Sequence, residues 1–156
     1  MSERVSSFES LAAEFERRVD RTIWCTFATV DKRGRVRSRL IHPLWEGKVG
    51  WLLTGRTSHK ARDLDANPHA SLTYWDQTNE QVHVDCKTRW IEKQDERTRL
   101  WHRFKDTPFP LGYDPGQFFS SPEDPEYGVL RLEPWRLELW SLDDLIAGKP
   151  SRVWRA

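Results

Sequence analysis

Trp51-Leu-Leu-Thr-Gly-Arg-Thr-Ser-His-Lys-Ala-Arg-Asp-Leu-Asp-Ala-Asn-Pro68 is the stretch on which the reading of this chain turns. Its apolar start, Trp51 to Thr54, has the composition of a strand. The following residues are polar, Ser58 is a good N-cap, and Ala61 and Leu64 share one face of a short helix that Asn67-Pro68 ends. A strand therefore feeds the start of a helix. Unpaired backbone N–H groups and the positive end of the helix dipole favour an anion there, yet the turn and first helical residues carry Arg56, His59 and Lys60. A phosphate group would supply the missing counter-charge, with the Thr54 and Ser58 hydroxyls and helix amides as donors and Lys60 as a point charge. The alternative is a solvated cationic turn.

The whole chain narrows the setting. Its 156 residues are expected to form one domain spanning 1–156, large enough for a substantial core. Twenty-five basic and 24 acidic residues leave a formal charge of +1, so no global field attracts nucleic acid or an anionic membrane. Met1 to Arg21 lacks the apolar centre of a signal peptide, and no apolar run approaches the roughly 20 residues that cross a bilayer; a cytoplasmic protein with no membrane partner is expected. The two cysteines, Cys25 and Cys86, lie in strand-like segments and form neither a disulfide framework nor a zinc pattern. Strand alternation also puts His83 on the face opposite Cys86. Nine tryptophans with a low mean hydropathy point to a small barrel or sheet whose aromatic surfaces need covering, and a homodimer covers them most simply.

Outward from the opening stretch, residues 6–20 read as an amphipathic helix, with capping-box spacing at Ser6 and Glu9 and an apolar stripe of Phe8, Leu11, Phe15 and Val19. Ile23 to Val30 is a strand apolar on both faces, which implies burial on both, and Asp31-Lys-Arg-Gly34 turns it back. On the second strand, Arg35 to Trp45, Arg35, Arg37 and Arg39 share one face, screened by water or holding an anion. A fourth strand spans Ala70 to Asp76. A fifth, Gln81 to Ile91, turns Val82, Val84, Cys86 and Trp90 inward and Gln81 and His83 outward. A second helix, about Lys93 to Phe104, buries Leu100, Trp101 and Phe104. Residues 105–126 hold five of the nine prolines with Phe109, Tyr113, Phe118 and Phe119, as a lid or, preferably, a segment laid on a partner subunit. The last strands, Tyr127 to Trp140, are interrupted at Pro134, which should mark a bulge or edge, and the tail 141–156 is expected to be ordered by contact with something else.

Taken in order, Gly34-Arg-Val-Arg-Ser-Arg39-Leu, Thr54, Ser58-His59-Lys60-Ala61, Asn67-Pro68, Glu80-Gln81-Val82, Tyr127-Gly128 and Pro134-Trp-Arg-Leu-Glu-Leu-Trp140 resemble the pyridoxamine 5′-phosphate oxidase family of flavin-binding proteins over nearly the whole chain. The resemblance implies a mainly β fold, a split β-barrel of the FMN-binding type with flanking helices and about six or seven antiparallel strands. It implies that Arg39 and Lys60 hold the phosphate of flavin mononucleotide (FMN), with Thr54 and Ser58 beside them and Leu53 and His59 adjoining. The strand from Arg39 through Leu40 to Ile41 would follow the ring edge, and Gln81 would reach the ring system. It further implies a homodimer with the flavin at the subunit interface, Trp140 and the tail coming from the other chain.

This sequence departs from the vitamin B6 oxidases after Trp140. Ser141 to Gly148 is extra, Arg152 can be matched to a substrate-binding arginine, and Trp154 stands at the family's histidine. The shorter, functionally diverse relatives, among them the general stress proteins, are the better match. The expected function is an FMN-dependent oxidoreductase acting on a small molecule. The alternatives are a deazaflavin (factor 420) reductase, whose acidic cofactor tail would suit Arg35, Arg56 and Arg62, and a non-catalytic flavin binder.

Overall fold

The computed structural model describes residues 1–156. In chain order its elements are β1 (Ser2–Arg4), α1 (Glu9–Thr22), β2 (Cys25–Val30), β3 (Val36–Ile41), β4 (Leu44–Glu46), β5 (Val49–Gly55), α2 (His59–Ala66), β6 (His69–Trp75), β7 (Glu80–Trp90), α3 (Gln94–Asp106), β8 (Tyr127–Ser141), α4 (Leu142–Ile146) and β9 (Ser151–Arg155). Six long strands carry the barrel, and β1, β4 and β9 add short flanking pieces. No helix is long and apolar enough to cross a membrane.

The sheet runs β1-β9-β8-β7-β6-β2-β3, antiparallel except for β1 beside β9. The long strand β8 makes it curl. One edge of β8 pairs with β7 throughout, while the other pairs first with β5, Tyr127 facing Gly55, and then with β9, Arg136 facing Arg155. The strand continues through Pro134, which marks the expected bulge. Asp85 faces Arg136 and Cys86 faces Pro134, so Trp135 is the extra residue of a bulge that absorbs the missing proline N–H.

Alternation along β5 and β8 feeds two cores. Leu52, Leu130 and Leu132 join the barrel interior, closed by Leu11, Phe15 and Val19 of α1 and by Phe8 at its start. Leu53, Tyr127 and Val129 face the other way, under Leu100, Trp101 and Phe104 of α3. This half of the sheet is buried on both sides. By contrast, β2 buries only Cys25, Phe27 and Thr29, and Thr26 on its other face is exposed. That uncovered face continues on β3, where Val36 is 72% and Leu40 68% exposed. At Gly128 an added Cβ would lie 2.7 Å from both the Thr54 carbonyl oxygen and the Trp90 ring. Gly128→Ala is therefore expected to lose about 1 to 3 kcal/mol in urea unfolding, and an unchanged midpoint would contradict this packing.

Two terminal expectations need correction. Ser6 does not cap α1: the helix starts at Glu9, Phe8 occupies the cap position with no side-chain cap, and the Ser10 hydroxyl donates to the Ser7 carbonyl at 2.7 Å. Burial of Phe8 fixes the helix entry in place of a cap. The tail 141–156 is ordered by its own chain. Ser141 caps α4 by accepting the Asp144 N–H, and β9 lies between β8 and β1 with Val153 and Trp154 buried.

A charged residue sits inside the apolar stripe of α1. Arg18 is 2% exposed; its Nη1 donates to the backbone carbonyls of Gln81 at 2.9 Å and Trp140 at 2.7 Å, and its Nη2 donates to Glu14. Its neighbours Arg17 and Arg21 grip Glu80, and the hydrogen bonds from Arg17 do most to bring that carboxyl down from 4.5 to about 2. A carboxyl lowered on folding stabilises the fold above its unfolded value, and this is lost as pH falls toward the folded value. Between about pH 5 and pH 3, Glu80→Gln is thus expected to lose less stability than the parent chain in urea titrations; an equal loss would remove Glu80 from the acid response.

Candidate functional site

β5 carries Leu53 and Thr54 to its end, Gly55 to Thr57 turn the chain, and α2 begins at His59. The expected cap is present: Ser58 Oγ accepts the Ala61 N–H at 3.3 Å, and the Ser58 carbonyl accepts the Arg62 N–H. The N–H groups of His59 and Lys60 are then the orphan donors of the first turn. The His59 side chain is exposed, so its contribution to the site is its amide.

Arg39 reaches toward this helix from β3. Its Nη1 donates to Thr29 Oγ1 at 2.7 Å and to the Phe27 carbonyl at 3.2 Å, while the Thr29 hydroxyl donates to Asp63 on α2 at 2.7 Å. Thr29 and Asp63 escaped the sequence reading although they aim the guanidinium. Asp63 stands 3.8 Å from Arg39 Nη2, which is buried with no hydrogen-bond partner. Burial lowers the Arg39 pKa, with Asp63 opposing. Lys60 is also held below its ordinary value, first by burial and then by the charge of Arg39, which puts the two cations in electrostatic contact. Thr54 Oγ1 is likewise buried without a partner. Two cations, two free amides and an orphaned hydroxyl thus collect around one helix start, an arrangement that favours a multiply charged oxyanion.

The turn also holds a carboxylate that the sequence reading missed. Glu126 Oε1 accepts the Thr57 N–H at 2.9 Å and the Thr57 hydroxyl at 2.8 Å, and a Cβ at Gly55 would lie 2.7 Å from it. Glycine at position 55 lets the carboxylate approach.

A cleft of about 670 Å³ opens beside these groups, with Leu40, Ile41, Leu53, Thr54 and Lys60 along one side. The aromatic segment 105–126 supplies the facing wall through Phe109, Tyr113, Phe118 and Phe119. The segment packs on its own chain through some of its rings: Tyr113 meets Phe104 and Phe118, and Phe119 meets Tyr127. His42 also lines the cleft; its place after Ile41, just before Pro43, carried no signal in the sequence.

Gln81 and Trp140 do not join this group within one chain. They face each other across β7 and β8 and line a second groove of about 420 Å³ with His83, Arg136 and Glu138, where Gln81 Oε1 lies 3.0 Å from His83 Nε2. Of the arginine row, Arg35 is paired with Asp31 at 2.8 Å. Arg56 is paired with Asp65 at 3.0 Å and stacks on Trp90.

Residues 11–141 match the sequence profile of the pyridoxamine 5′-phosphate oxidase family. The chain is 30% identical to a pyridoxine/pyridoxamine 5′-phosphate oxidase of Paraburkholderia phytofirmans, an alignment covering 82% of this chain and 68% of that one. Among solved structures it is similar to a Clostridium acetobutylicum protein related to general stress protein 26, with a TM-score of 0.68, 16% identity and coverage of 94% and 95% of the two chains. It is similar as well to a pyridoxamine 5′-phosphate oxidase-related, FMN-binding protein of Nostoc punctiforme, with a TM-score of 0.68, 21% identity and coverage of 94% and 88%. These likenesses agree with the split β-barrel architecture.

Proposed function

The chain belongs to the pyridoxamine 5′-phosphate oxidase family, and from that premise we propose that its cleft holds FMN and that the loaded protein is a flavin-dependent oxidoreductase acting on a small molecule. The observation that carries this reading is the pair of buried, partnerless donors, Arg39 Nη2 and Thr54 Oγ1, beside the depressed Lys60. A phosphate monoester satisfies all three, with the His59 and Lys60 amides and the Ser58 hydroxyl completing its shell. Leu40 and Ile41 flank the ring edge from β3. When bound, the flavin supplies the electron transfer, and the chain supplies grip, orientation and local charge.

Two features support a homodimer with the flavin between subunits. The β2–β3 face leaves Val36 and Leu40 uncovered, and Gln81 and Trp140 sit in a groove of their own, where they would serve the partner's cofactor. FMN is favoured over factor 420 because Arg35 and Arg56, two of the three arginines suited to an acidic tail, are already paired with Asp31 and Asp65. Purified protein supplied with FMN is expected to show the absorption bands of bound oxidised flavin and to release a compound of FMN mass. Protein that stays colourless, or that yields a deazaflavin, would overturn the assignment. Faster reduction and reoxidation of the bound flavin than of free flavin is expected of an enzyme, and equal rates would leave only a flavin carrier.

A further inference from the structure

Lys60, Thr54, Leu40 and Ile41 account for one end of the cleft; the other end has chemistry of its own. Trp24, His42, Phe109, Tyr113 and Phe118 line it, and Lys60 is the only cation in the whole lining. The only carboxylate, Glu126, is occupied by Thr57. This end therefore presents flat apolar rings and no charge to receive an anion.

His42 is the most deeply set of its polar groups, the others being the Tyr113 hydroxyl and Gln117. The imidazole lies between the rings of Trp24, at 5.2 Å, and Tyr113, at 5.6 Å, and its Nε2 is buried without a hydrogen-bond partner. A neutral imidazole protonated on Nδ1 leaves the lone pair on Nε2, the buried nitrogen that has no partner within the chain. Burial lowers the His42 pKa and keeps the ring neutral near pH 7. An unmatched buried acceptor costs free energy that a ligand donor recovers. Trp24, whose ring stands beside the imidazole on the cleft side, is 55% exposed.

We propose that this end of the cleft is the substrate subsite, that it takes an uncharged planar aromatic molecule carrying an O–H or N–H donor, and that His42 Nε2 is the specificity-determining acceptor. Its role as a substrate subsite rests on the flavin reading, because the flavin is what would occupy the neighbouring end.

The test compares 4-methoxyphenol with 1,4-dimethoxybenzene, which keeps the ring but lacks the donor, and with phenyl phosphate, which carries charge. Each is titrated by calorimetry into the protein with and without FMN. 4-Methoxyphenol is expected to bind about tenfold more tightly than 1,4-dimethoxybenzene, and phenyl phosphate to be the weakest ligand of FMN-loaded protein. In His42→Phe the preference for 4-methoxyphenol is expected to vanish. No preference in the parent chain, a preference that survives His42→Phe, or tightest binding of phenyl phosphate to the loaded protein would each overturn the proposal. The parent-chain comparison decides even if the variant fails to fold. A chain that binds no FMN but keeps a His42-dependent preference would sink the flavin reading and leave the aromatic site standing.

Discussion

Arg39→Ala and Lys60→Ala are each expected to weaken FMN binding roughly tenfold to hundredfold, because a hydrogen bond from a charged group is worth about 1.5 to 3 kcal/mol. The effect should be large at these positions because both cations are partly desolvated. Burial already lowers the pKa of each, and Arg39 Nη2 has no hydrogen-bond partner within the chain. Arg99 is the matched control. It is 43% exposed and already paired with Glu46 and Glu96, so Arg99→Ala should leave flavin per chain nearly unchanged. Equal retention of flavin by all three variants would remove the phosphate site from this helix.

The second large effect is expected at Arg18. Arg18→Met keeps an unbranched apolar stem but strands the Gln81 and Trp140 carbonyls and leaves Glu14 with Arg152 as its remaining hydrogen-bonded cation. Removing one member of a buried charged cluster costs about 3 kcal/mol or more, and that loss should appear in urea unfolding. The same change loosens the β7–β8 backbone that carries Gln81 and Trp140. FMN affinity should therefore fall under conditions where the variant is still folded, which a loss of global stability alone would not produce. A variant with parental stability and parental affinity would show that helix α1 only covers the barrel.

What could be read from the sequence follows from how local each cause is. Ser58 caps α2 and Ala61 and Leu64 are buried because capping and helical spacing act within a few residues. The stripe Phe8, Leu11, Phe15 and Val19 and the inward set Val82, Val84 and Cys86 are equally local patterns, and all are buried. Arg18 was legible in principle: it lies three residues after Phe15 and seven after Leu11, so a charge sits on the apolar face of the helix. Its partners were not, because Gln81 and Trp140 meet it only once α1 lies across the ends of β7 and β8.

The one-sided burial of β2 and the order of the tail were misread for a related reason. A run apolar on both faces does not say what covers each face, and β9 is held by pairing with β8 and with β1, a three-residue strand that carries no periodic signal. Glu126 ends residues 105–126 and His42 meets that segment at Tyr113, so both depend on a path shaped by tertiary contacts such as Tyr113 on Phe104.

The comparison of FMN with riboflavin, which shares the ring but lacks the phosphate, bears most directly on the grip of Arg39, Lys60 and Thr54. Measured as dissociation constants on the same purified chain, FMN is expected to bind about a hundredfold or more tightly than riboflavin, since several charge-assisted hydrogen bonds depend on the phosphate. Equal affinities would contradict a site organised around that anion.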